Sequence, residues 1–188
     1  MSETLAQPCV GDWIQTFSGA RFWPMDPRAE EVRIEDIAHA LALVSRFGGH
    51  CRVFYSVAQH SVLVSEQCGP EDALAGLLHD SAEAYLGDIP RPLKRQPEMV
   101  GYRVAEARVQ RVVFERFGLP WPMDMSVKIA DEALLATEAR DLMGVAGDFP
   151  TWELPQPPLP NRVEPWDWAT AKREFLYRFA LLTMGGTP

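Results

Sequence analysis

Residues 77–88 read Leu-Leu-His-Asp-Ser-Ala-Glu-Ala-Tyr-Leu-Gly-Asp, and this stretch restricts the chain most tightly. A histidine and an aspartate stand side by side in an otherwise apolar run. Glu83 follows one helical turn later, and Asp88 comes just past Gly87, a residue that ends helices. Burying a charge is costly unless it is paired or bound to a cation. A helix rich in Leu and Ala that carries His79, Asp80 and Glu83 therefore needs partners from elsewhere in the fold.

The flanking pattern is helical. Ile34, Ile37, Ala38, Leu41 and Val44 form one stripe within about 28–47. His39 lies beside that stripe, as a core histidine with a hydrogen-bond partner or as a metal ligand. Arg46 leads into Phe47-Gly48-Gly49-His50, whose glycines can take backbone angles closed to other residues. Arg46 either aims at an anion or satisfies the dipole of the helix end. Ser56-Val57-Ala58-Gln59 has the form of a capping box and opens a helix to about Cys68. Val57, Ser61, Val64 and Cys68 mark its apolar face, with His60 alongside. The link Gly69-Pro70-Glu71-Asp72 is short enough to make the next helix, about 72–86, a neighbour. On that helix His79 and Glu83 are four apart and share a face.

The loop Asp88-Ile89-Pro90-Arg91-Pro92-Leu93-Lys94-Arg95 is stiffened by its prolines and carries basic side chains toward the end of the His79 helix. They serve a site there or form a solvated surface. Further helices are expected at 98–117 (Val100, Val104, Val109, Val112, Val113 and Phe117 apolar) and from Ser126 to about Gly144. The second puts Asp131 among apolar positions, as a dipole partner or a ligand, with Glu132, Glu138 and Asp141 facing solvent. Trp166 to Met184 is the last helix, burying Trp168, Phe175, Phe179 and Leu182.

Two regions fall outside the helices. Aromatic and β-branched residues flank Ser18-Gly19 in a hairpin over 12–23, whose aromatics pack on the bundle or wall a flat base. The prolines at 150, 155, 157, 158, 160 and 165 leave no regular element over 148–165, so that segment is a long ordered loop or a flexible excursion. Residues 1–10 read as a loose start. The expected fold is all-α, a compact helical bundle with a small N-terminal β-hairpin, in one domain spanning 1–188.

Charge narrows the partners. A net charge of −8 argues against binding a nucleic-acid polymer, which calls for a basic surface. Small anions stay open, because a metal and a few basic side chains reverse the local field. Cys9, Cys51 and Cys68 have no metal-ligand spacing, which fits a reduced, cytoplasmic setting. Met1-Ser2-Glu3-Thr4 lacks the basic start and apolar run of a signal peptide, and no long apolar stretch suggests a membrane partner.

His60, His79, Asp80 and Asp131 make an N₂O₂ donor set, suited to Mn²⁺, Fe²⁺, Co²⁺, Ni²⁺ or Zn²⁺. An octahedral ion held by four protein donors keeps positions for water and a phosphate oxygen, acidifies that water and stabilises charge on phosphorus. Glu83 and Asp88 are at hand for proton transfer, and Arg46 and Lys94 for the phosphate.

His60, then His79-Asp80, then Asp131 on successive helices resembles the H…HD…D signature of the HD-domain metal-dependent phosphohydrolases. Val57-Ala58-Gln59-His60-Ser61 and the run from His79 to Lys94 are similar to bacterial 5′-deoxynucleotidases and to prophage and phage deoxynucleotide hydrolases, dATP triphosphohydrolases among them. Ser45-Arg46-Phe47-Gly48-Gly49-His50 resembles the prophage and phage branch. The resemblance covers roughly residues 30–145. It implies an HD-type bundle around one divalent transition metal (Co, Mn, Zn, Ni or Fe, or else Mg), with His60, His79, Asp80 and Asp131 as ligands. Glu83 and Asp88 would serve proton transfer, and Arg46 and Lys94 would hold phosphate oxygens. The substrate would be a deoxynucleotide, mono- or triphosphate, and the chain a homo-oligomer. The competing expectation is a non-catalytic nucleotide-binding module on the same scaffold.

Overall fold

A computed structural model describes residues 9–143 and 152–185. The chain runs β1 (Ile14–Gln15), β2 (Arg21–Phe22), α1 (Ile34–Leu43), α2 (Val57–Gln67), α3 (Ala73–Leu78), α4 (Glu83–Leu86), α5 (Arg91–Lys94), α6 (Val100–Arg116), α7 (Met125–Leu142) and α8 (Trp168–Thr183). It is an all-α fold carrying one small antiparallel hairpin, as expected. The stretch expected to be a loose start falls largely outside the described residues, as do Gly144 and Pro150. Among the described residues no helix is long and apolar enough to cross a membrane.

Helix α2 lies at the centre and packs against α1, α3, α7 and α8. Ser56 caps it: the Gln59 N–H donates to Ser56 Oγ at 3.1 Å. The reciprocal half of the capping box is not made. The Gln59 amide instead donates to the Glu164 carbonyl and accepts from the Trp166 N–H, both at 2.8 Å. Nor does α2 have one apolar face. Gln59, His60, Ser61 and Ser65 are buried along with Val57, Ala58, Val62 and Val64, because neighbours cover several sides of the helix. Helix α3 crosses it closely at Gly76, where an added Cβ would sit 2.8 Å from Cys68 Sγ and 3.2 Å from Ser65 Cα.

The core joins Ile37 and Leu41 of α1, Leu77 and Leu78 of α3, Val109, Val113 and Phe114 of α6, Leu134 of α7 and Phe175 of α8. Val100 and Val104 of α6 are exposed, contrary to expectation, because the stripe that enters the core is further along the helix. Trp168 is also half exposed, in the first turn of α8, edge-on to His39.

The hairpin pairs Ile14 with Phe22 and Gln15 with Arg21 around Gly19, whose φ of +81° suits glycine. Two short strands are not stable alone. Here Phe22 is fully buried and stacks on Tyr85 with centroids 3.8 Å apart. The Ser18 N–H and Oγ–H donate to the Asp36 carboxylate at 2.6 and 2.9 Å.

The described part of the proline-rich segment is an ordered strap. Arg140 donates to the Leu159 and Asn161 carbonyls at 2.7 and 2.9 Å. The Leu159 N–H donates to Thr137 Oγ1 and the Val163 N–H to Asp141 Oδ2, so α7 holds one edge and Gln59 of α2 the other.

Candidate metal centre

The expected single helix over 72–86 is interrupted at the histidine. Helix α3 stops at Leu78 and α4 starts at Glu83. In an unbroken helix the Ala82 N–H would donate to the Leu78 carbonyl four residues back. The Gln110 side chain from α6 stands between them: its Oε1 accepts from the Ala82 N–H at 2.9 Å, and its Nε2 donates to the Leu78 carbonyl at 2.6 Å. A side chain inserted into the ladder is a recognised cause of a break. Across the break the spacing tightens to three, with Ser81 N–H to the Leu78 carbonyl and Glu83 N–H to the Asp80 carbonyl. Adjacent residues on a regular helix do not face each other. Here His79 Nε2 and Asp80 Oδ2 come within 3.2 Å.

His60 of α2 and Asp131 of α7 reach the same point. The two Nε2 atoms are 3.3 Å apart. Asp131 Oδ1 is 3.2 Å from His60 Nε2 and 4.0 Å from His79 Nε2. Asp80 Oδ2 is 3.7 Å from His60 Nε2. Donors bonded to one cation at about 2.1 Å are separated by roughly these distances. His60, His79 and Asp131 can therefore hold a metal ion. Each imidazole is also set from behind. His79 Nδ1 lies 2.8 Å from the Gly76 carbonyl and His60 Nδ1 lies 2.6 Å from Glu138 Oε1, as second partners of metal-ligating histidines do.

The electrostatics favour a cation. Burial opposes charging of His79, but Asp80 and Asp131 outweigh it and lift its pKa to about 9. Burial and Arg46 oppose charging of His60, yet Glu138 and Asp131 still raise its pKa. Asp80 stays ionised despite burial, because His79, His60 and Arg46 hold its pKa far below the usual carboxylate range. Asp131 behaves alike beside His60 and His79, at about 2.

Arg46 neither ends a helix nor sits free. Helix α1 stops at Leu43, and the Arg46 guanidinium is buried between Glu138 at 3.0 Å and Asp80 at 3.6 Å. Glu138 is fully buried, contrary to the expected solvent-facing position. It lies seven residues after Asp131 on α7, hence on the same face. Its Oε1 accepts the Tyr55 hydroxyl at 2.7 Å as well as facing His60. That seven-residue spacing was the available signal for Glu138, whereas nothing local marks Gln110 or Tyr55. Glu132 and Asp141 are also less exposed than expected, each only partly open to solvent.

Glu83 is buried one turn beyond His79, with Oε1 3.1 Å from Lys94 Nζ and Oε2 unpartnered. Burial, then Asp80 and Asp88, push its pKa well above the carboxylate range. Asp88 is half-buried, and burial raises its pKa against the pull of Arg46. Lys94 also donates to Glu106 Oε1 at 2.6 Å, so this cation already has two carboxylates. A cavity of about 260 Å³ opens here, lined by His79, Asp80, Glu83 and Lys94 together with Trp121 and Met123. The expected ligands and Arg46 thus converge; Glu83, Asp88 and Lys94 form a shell beside them.

No family model matches this sequence. Over 137 residues the chain is 45% identical to the uncharacterized protein YfdR of Escherichia coli (strain K12), covering 73% of this chain and 76% of that protein. The chain belongs to the YfdR family. It is also 38% identical over 145 residues to the uncharacterized protein RCAP_rcc00048 of Rhodobacter capsulatus, covering 70% and 74% of the two chains. Neither relative's name carries an activity.

Proposed function

We propose that this protein is a divalent-metal phosphohydrolase of the HD type that cleaves the 5′-phosphate ester of deoxynucleotides. The observation that carries this reading is the convergence of His60 Nε2, His79 Nε2 and Asp131 Oδ1, with both Nδ1 atoms engaged from behind. Asp80, with its oxygen 3.2 Å from His79 Nε2, completes the set. When bound, a divalent ion supplies a Lewis acid for the phosphoryl group and lowers the pKa of a nearby water toward neutrality.

The chain's own residues supply the rest. Glu83, a buried carboxyl with one oxygen unpartnered, moves the proton between the attacking water and the leaving 5′-oxygen. Asp88 acts beside it in the same transfer. Arg46 and Lys94 hold phosphate oxygens, each exchanging a carboxylate partner for the substrate's anion. Trp121 gives the adjoining cavity an aromatic wall for the base. Breaking the bond between phosphorus and the 5′-oxygen releases phosphate from a monophosphate and triphosphate from a triphosphate.

The test is product chromatography with dAMP and dATP, side by side, with Mn²⁺ or Co²⁺. Deoxynucleoside together with phosphate or triphosphate is expected. Nucleotide binding with no release under any metal would mark a non-catalytic nucleotide-binding module instead.

A further inference from the structure

We propose that Glu138 is a positioning residue of the metal centre: it fixes the ring orientation and tautomer of His60 and keeps Arg46 from competing with the cation for Asp80. The proposal rests on the metal reading above.

A buried imidazole can present either nitrogen to a ligand. Glu138 Oε1 lies 2.6 Å from His60 Nδ1 and accepts the Tyr55 hydroxyl at 2.7 Å. A carboxylate carries no proton, so the shared hydrogen belongs to Nδ1. That leaves the Nε2 lone pair for the point where His79 and Asp131 meet. His79 has only a neutral carbonyl, that of Gly76, behind it. A charge-assisted bond is roughly twice as strong, so His60 is the better anchored of the two rings.

The other oxygen of Glu138 does separate work. Its Oε2 holds Arg46 at 3.0 Å, while the far side of the same guanidinium is 3.6 Å from Asp80. With the Glu138 carboxylate replaced by an uncharged side chain, Arg46 would turn its charge onto Asp80 and oppose a cation there. In Glu138→Gln the amide oxygen can still accept from His60, but the amide NH₂ then abuts Arg46, donor against donor.

The experiment is a Co²⁺ titration of the metal-stripped full chain, followed by visible absorption and by competition with a chelator. Glu138→Gln is expected to weaken Co²⁺ binding by about 10- to 100-fold, the usual range for such outer partners, and to shift the absorption bands. Tyr55→Phe removes a donor to the same oxygen but keeps the carboxylate, and should stay within a few-fold of wild type. Wild-type affinity and bands in folded Glu138→Gln would overturn the positioning role alone. Failure of the wild type to bind Co²⁺ would overturn the metal centre and this role together. Should Glu138→Gln not fold, ¹⁵N NMR of the metal-free wild type, at a pH where the His60 ring is neutral, decides: a proton on His60 Nδ1 supports the role, and one on Nε2 overturns it.

Discussion

His39 and His60 begin from similar places in the sequence and end in opposite environments. Each stands beside an apolar stripe, on helices that pack against each other. His60 is fully buried, and Glu138 and Asp131 face its two nitrogens. His39 is half-buried, stacked on Phe17 of the hairpin at 3.8 Å, with Lys172 Nζ 3.3 Å from its Nδ1. Carboxylates raise the pKa of His60 against burial. For His39, burial and then Lys172 lower it, and Asp36 opposes them more weakly. A helical histidine thus becomes a candidate ligand or a packing surface according to the charge that the neighbouring helices bring to it. Carboxylates leave a lone pair worth donating to a cation, whereas a lysine uses it up.

The sharpest way to break this contrast is Asp80→Ala. It should abolish metal binding measured by calorimetry, and turnover with it; retained binding would remove Asp80 from the ligand set. Glu83→Gln should come next, lowering turnover by about 10²- to 10⁴-fold while metal affinity holds, since it removes a proton-transfer group and no ligand. Loss of the metal in Glu83→Gln would reassign that carboxylate.

Titration should separate the two kinds of histidine by sign. The pKa of His79 rises from 6.5 to about 9 in the fold, so protonation stabilises the metal-free protein fully below about pH 6.5 and is lost toward pH 9. Metal affinity should climb over the same window, because the ion displaces that proton. His39, with its pKa lowered, works the other way, and stability on its account falls as pH drops below about 6.5. Thermal melts of the metal-free protein against pH read both; a melting temperature that rises from pH 7 to 9 would contradict the assignment for His79.

The smallest effect belongs to His39→Ala. Losing the stack on Phe17 should cost about 1 kcal/mol and lower the melting temperature by about 2–4 °C, with Co²⁺ affinity unchanged. A weakened metal site in that variant would show that the hairpin end and the metal centre are not separate.

Local pattern carried much of the architecture. The positive φ at Gly19, Gly48, Gly49 and Gly87 falls at turns and a helix end that the glycines mark. Ser56 caps α2 where its spacing predicts. Pattern failed where one helix's surroundings decide. Glu138 reads as a surface carboxylate until α2 brings His60 over it, 78 residues away in sequence. Lys94 reads as a phosphate-binding or solvated basic group, yet Glu83 and Glu106 both claim it. The helix over 72–86 reads as continuous because its own residues favour that; the Gln110 side chain that breaks it arrives from α6.

By itself the sequence determined where most of the long helices lie, though not the break within 72–86 or the short helix Arg91–Lys94 in the expected loop, and that histidines and carboxylates stand among apolar residues that must be buried. Those are properties of spacing along one chain. The tertiary structure alone decided what surrounds these side chains: Glu138 behind His60 and against Arg46, Gln110 in the break beside His79, and Lys172 on His39. Periodicity says that a face is covered and is silent about what covers it, and a buried charge takes its role from that cover.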